Sequence, residues 1–87
     1  MDTKHEGLPV AGYRPQSEQS VAEVNYHKEL EERVLRQIDR LTPKGPGVLP
    51  VDARWLAIAR TNIELGFMAL NRAVFQPGRV SLPEDAE

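Results

Sequence analysis

The chain has no cysteine. No disulfide can staple it and no thiolate can hold a metal, and the absence fits a reducing compartment. Histidine is scarce as well: His5 and His27 are the two present, far apart in sequence, and no metal site is expected from them. A net charge of −2 gives no overall basic field for duplex DNA. There is no glycine-rich phosphate loop ahead of a strand, no HExxH and no strand pattern, so neither catalysis nor a cofactor is expected. Residues 1–16 lack the apolar run of a secretion signal. The most apolar stretch still holds Arg54, Arg60, Glu64 and Arg72, which argues against a membrane span. A cytosolic binding or assembly protein is the expectation that survives.

What the sequence does hold is one conspicuously greasy segment. From Asp52 to Phe75, large apolar residues (Trp55, Leu56, Ile58, Ile63, Leu65, Phe67, Met68, Leu70, Val74, Phe75) spread well beyond one stripe. Ala57, Ala59, Gly66, Ala69 and Ala73 fill the gaps. A helix apolar on most sides is surrounded by protein, and 87 residues offer little to surround it with. The expected cover is further copies of the same chain.

The remaining organisation follows from caps and breakers. The reading is a single domain: an arm at 1–16, helix one at 17–41, a loop at 42–51, helix two at 52–75 and a tail at 76–87. Gly7, Pro9, Gly12 and Pro15 make the arm extended or irregular. Ser17 and Ser20 both offer helix starts, the latter as a capping box with Glu23. The stripe Val21, Val24, Val34, Leu35, Ile38, Leu41 has helical spacing, with Asn25 and Lys28 on the same side as its first members. Three prolines and two glycines between Thr42 and Pro50 end this helix, and Asp52 caps the next. Gln76-Pro77-Gly78 stops helix two, and the acidic end of the tail is expected to be mobile. The fold class is therefore all-α: an N-terminal arm and an antiparallel helical hairpin that assembles into a compact homo-oligomer.

Four arginines (Arg54, Arg60, Arg72, Arg79) face one acid, Glu64, between Ala53 and Val80. That local excess suits a small anionic ligand or the acids of neighbouring subunits. Tyr13 either staples the arm to the helices or stacks on a base. Lys28 either pairs with Glu31 or Glu32 or binds a phosphate as a point charge. Arg72 either meets the last carbonyls of its helix or, with Asn71, joins symmetry copies around an anion. His27, with no motif around it, is read as a solvated or capping histidine.

Four segments resemble a known family: Gly12-Tyr13-Arg14-Pro15-Gln16-Ser17, and the runs Lys28 to Leu35, Arg54 to Thr61 and Gly66 to Phe75. They are similar to the phage anti-CBASS protein two family, small helical-hairpin sponges for cyclic oligonucleotides related to the hairpin domain of Thoeris anti-defence sponges. The resemblance covers most of residues 12–77. It implies a homohexamer that sequesters immune second messengers without cleaving them in the cytoplasm of the infected bacterium. It also implies cyclic dinucleotides such as cGAMP in pockets shared between protomers, with Tyr13 against the base and Lys28 at the phosphate. Asn25 is assigned to the same site. Cyclic trinucleotides would bind separately, at Arg72 with Asn71 beside it. No DNA, membrane or metal partner is implied. The alternative reading from the residues alone is an oligomeric helical adaptor or inhibitor that binds proteins and no nucleotide.

Overall fold

The computed structural model describes residues 10–42 and 49–86. The expectations for the first nine residues, for the turn-rich connector at 43–48 and for the last residue lie outside these. Among the described residues there are two long helices, α1 (Glu18–Leu41) and α2 (Ala53–Phe75), one 3-10 turn (Pro83–Ala86) and no strand.

Each helix end is closed by an identifiable group. Of the two candidate serines, Ser17 is the cap of α1: its Oγ accepts the Ser20 N–H at 3.0 Å. That bond satisfies one of the donors a helix start leaves open. Thr42 ends α1, with its hydroxyl donating to the Ile38 carbonyl at 3.0 Å. Asp52 caps α2 by accepting the Trp55 N–H at 3.0 Å. At the far end Gln76 adopts a left-handed conformation, φ 47°, and its N–H reaches the Arg72 carbonyl at 2.7 Å. Left-handed closure of this kind is the usual way a helix is stopped. The acidic tail, expected to be mobile, is instead wound into its 3-10 turn, where the Asp85 carboxylate accepts the Leu82 N–H at 2.9 Å.

The helices pack antiparallel along one seam. Two cross-links set the register: His27 meets Asn71, and Arg60 donates to Asp39. Moving up α1 from His27 to Asp39 thus corresponds to moving back along α2 from Asn71 to Arg60. Val24 and Ile38 are the buried apolar members of α1, while Val21, Leu30, Val34, Leu35 and Leu41 are half-buried beside them. On α2, Leu56, Ile63, Phe67 and Val74 hold the matching half-buried positions. With Arg60 and Asn71 between them, these recur three and four residues apart, the spacing of a narrow helix–helix contact.

Two expectations about α1 need correction. His27 is neither solvated nor a cap: it is 6% exposed and fills the seam position one turn on from Val24. Asn25 and Lys28 do not interrupt the buried stripe, because both lie one step round the helix and are exposed. The seam continues past them through His27, Leu30 and Glu31. The physical reason is that the face is defined by the whole run Val24, His27, Leu30, Glu31, Val34 and Ile38 in three- and four-residue steps, and Asn25 and Lys28 each lie one position off it.

The hairpin leaves much of α2 uncovered. None of its residues is buried, and Trp55 (63% exposed), Met68 (62%) and Leu65 (54%) stand on its outer sides. Small scattered apolar residues need no explanation, but several large ones on one helix mark an interaction surface.

Ile38→Ala removes one of the two buried apolar anchors of the seam. It is expected to cost about 2–5 kcal/mol, read as a lower urea midpoint in helical circular dichroism at fixed protein concentration.

Candidate functional site

The arm is fastened across the C-terminal end of α2. A helix end leaves carbonyls without partners, and here the arm supplies one. The Gln16 side chain donates to the Phe75 carbonyl at 3.0 Å and to the Arg14 carbonyl at 3.0 Å. The Gly78 N–H donates back to the Gly12 carbonyl at 2.7 Å. Gly12 sits at φ +84°, and a Cβ there would lie 2.5 Å from the Gly78 carbonyl oxygen. Only glycine meets both demands at once. Arg14 lies over Gly78 so closely that a Cβ on Gly78 would be 3.3 Å from a guanidinium nitrogen.

This docking creates a groove of about 220 Å³, lined by Tyr13, Arg14, Gln16, Asn71, Arg72, Phe75 and Pro77. Tyr13 is 40% exposed, so one part of its ring packs and the rest is free to meet a ligand. Two guanidiniums share the groove with two aromatic rings. Neither Arg14 nor Arg72 has an ion pair among the described residues, whereas Arg33, Arg36 and Arg60 pair with Glu29, Glu32 and Asp39. The C-terminal half-charge of α2 favours cations here. Positive charge beside stacking surfaces, with a neutral amide between them, fits a small anion that carries a ring.

Lys28 belongs to a different place. It lines a shallow groove on the outer face of α1 with Glu29, Glu32, Arg33 and Arg36. Glu32, one of its expected partners, is taken by Arg36 at 2.8 Å. Asn25 is exposed on the same helix. The structure therefore brings together Tyr13, Asn71 and Arg72, which the sequence assigned to two separate sites, and keeps Lys28 out of their groove within one chain. Sequence reasoning missed Arg14, Gln16 and Phe75. The Tyr-Arg-Pro-Gln run next to a helix stop was the available signal, but nothing in it stated which helix end the arm would cross.

Behind the groove lies His27. Its Nδ1 is 2.9 Å from Asn71 Oδ1 and its Nε2 is 3.2 Å from a Glu23 carboxylate oxygen. Among the described residues no three histidine, aspartate or glutamate side chains gather as a metal site, and no helix is long and apolar enough to cross a membrane.

An arm-capped helical hairpin with a cationic, aromatic groove has the chemistry to hold a small anion. Comparison with known proteins identifies it further: the model of the Acb2/Tad1 hairpin-domain family matches residues 6–75, and the chain belongs to that family. The family is one of phage anti-defence proteins of the sponge type, which bind and sequester and are not catalysts. No curated protein and no solved structure matches the chain.

Gly12→Ala is expected to detach the arm at a local cost of about 1–3 kcal/mol, the strain of a left-handed non-glycine residue. Hydrogen exchange at the Gly78 amide reads this directly: its protection falls, while amides in the middle of α1 keep theirs.

Proposed function

We propose that this protein captures cyclic dinucleotides such as cGAMP, and cyclic trinucleotides at an adjoining site, in the cytoplasm of the infected bacterium. It holds them intact, and so withholds the messenger from CBASS immunity. The observation that carries this reading is the groove of Tyr13, Arg14, Asn71, Arg72 and Phe75, in a chain of a sponge family. Tyr13 stacks on a base. Lys28 takes a phosphate, with Asn25 beside it. Asn71 and Arg72 serve the trinucleotide, and Arg14 adds a guanidinium that either ligand can use.

The same reading makes the protein a compact homohexamer. Two facts support assembly. Large apolar side chains stand uncovered on α2. In addition, a groove of about 220 Å³ is smaller than the roughly 300–1,000 Å³ of a pocket that encloses a drug-sized ligand. A second protomer closes the groove and brings its own Lys28 to the Tyr13 of the first. Shared pockets of this sort also explain why a short chain keeps polar residues beside an apolar assembly surface.

Titration of the purified protein with cyclic di- and trinucleotides tests the proposal. Stoichiometric protein removes free ligand, and denaturation returns it uncleaved. Tyr13→Ala weakens binding by about 5- to 150-fold, the equivalent of roughly 1–3 kcal/mol for a lost base stack. Lys28→Ala weakens it too and flattens its salt dependence, and sedimentation finds both variants still hexameric. A protein that binds none of these ligands is the protein-binding adaptor instead.

A further inference from the structure

His27 is the one buried polar side chain among the described residues, at 6% exposed, and it sits in a seam otherwise lined mostly by apolar residues. A polar ring in such a place is tolerated only when its nitrogens are partnered. Here both are, and to groups of different character. Both partners are oxygens, so in this arrangement each ring nitrogen carries a hydrogen and donates: Nε2–H donates to Glu23, one turn back on α1, from the half-exposed side at 3.2 Å. Asn71, on α2, presents its carbonyl oxygen to Nδ1 at 2.9 Å. The ring is thus held between a carboxylate that fixes its rotation and an amide that it fixes in turn.

The consequence falls on the groove. Asn71 has two ends, and the carbonyl end is engaged behind the seam. Its NH₂ end is the other one, and among the described residues it donates to no protein acceptor. Asn71 also lines the groove beside Arg72 and Tyr13. We propose that His27 is a positioning residue for ligand capture. By holding the Asn71 carbonyl, it turns the NH₂ donors toward the groove, where they recognise an acceptor oxygen of the bound nucleotide, on a phosphate or a base carbonyl. Without the ring, the amide is free to turn its own oxygen outward and repel the same ligand. Glu23 contributes by keeping the imidazole from rotating away. This inference rests on the cyclic-nucleotide reading above and adds to it the route by which a residue outside the groove sets its donor pattern.

A purely structural histidine would pin the register of the hairpin and nothing more. Binding coupled to Asn71 separates the two roles. Calorimetric titrations use wild type, His27→Leu, His27→Gln, Asn71→Ala and the His27→Leu/Asn71→Ala double variant, against the cyclic di- and trinucleotides that wild type retains. His27→Leu is expected to remain helical and assembled while losing about 5- to 30-fold in affinity, the scale of one misdirected hydrogen bond. His27→Gln, whose amide N–H can reach the Asn71 oxygen, recovers most of that loss. Asn71→Ala loses a similar factor, and the double variant binds no more weakly than the single ones, because the two act as a unit. Affinity unchanged in His27→Leu, or losses that multiply in the double variant, overturns the proposal. If His27→Leu does not fold, Glu23→Gln and His27→Gln carry the test: the first is to weaken binding about 2- to 5-fold, and wild-type affinity in it counts against the role. Wild type that binds no cyclic nucleotide overturns the functional reading and this inference together, whereas wild type that binds beside an undiminished His27→Leu overturns this inference alone.

Discussion

A hairpin of two helices has one seam. Everything else in this protein is arranged around that limit. The seam occupies one side of α2 and buries no residue of it completely, which leaves Trp55, Leu65, Met68 and Leu70 exposed on other sides. In water, that much apolar area on a helix is stable only when something covers it. The polar members of the seam are placed where they matter most for geometry. Arg60 with Asp39 fixes one half of the hairpin and His27 with Asn71 fixes the other, so two otherwise smooth helices cannot slide past one another by a turn.

The groove follows from the second constraint, the open carbonyls at the end of α2. The arm crosses that end because Gln16 and the Gly12–Gly78 pair give the backbone there its partners. In doing so it lays Tyr13 and Arg14 beside Asn71 and Arg72, residues more than fifty positions away in sequence. Charge and aromatic surface come together as a by-product of helix capping. Glu29, Glu32 and Asp39 of α1 are meanwhile occupied with arginines of their own helix and of α2, and no acid lines the groove, which is cationic although the chain as a whole is acidic.

Much of this was legible in the residues. The caps at Ser17 and Asp52, the stop at Gln76-Pro77-Gly78 and the apolar stripe of α1 are local signals, and local signals read well. The excess of apolar residues on α2 was visible as a count of faces. The errors share one cause. His27 was placed in solvent because a lone histidine carries no pattern of its own; its environment is decided by α2, through Asn71, and no spacing within α1 reveals that. Asn25 and Lys28 were put on the buried side because a stripe judged from Val21 and Val24 alone drifts by a fraction of a turn. For the site, Tyr13, Asn71 and Arg72 were each noticed, but their meeting was not, since it depends on where an irregular arm lands. The 3-10 turn at Pro83–Ala86 had only a single carboxylate to announce it.

Because the arm is tied to its own hairpin, Tyr13 and Arg14 are already in place in each separate polypeptide. The entropy of freezing Tyr13 and Arg14 is spent during folding, and a ligand entering the groove would not have to meet it again. Anything that fits the groove meets it already formed, with no slow ordering step after encounter.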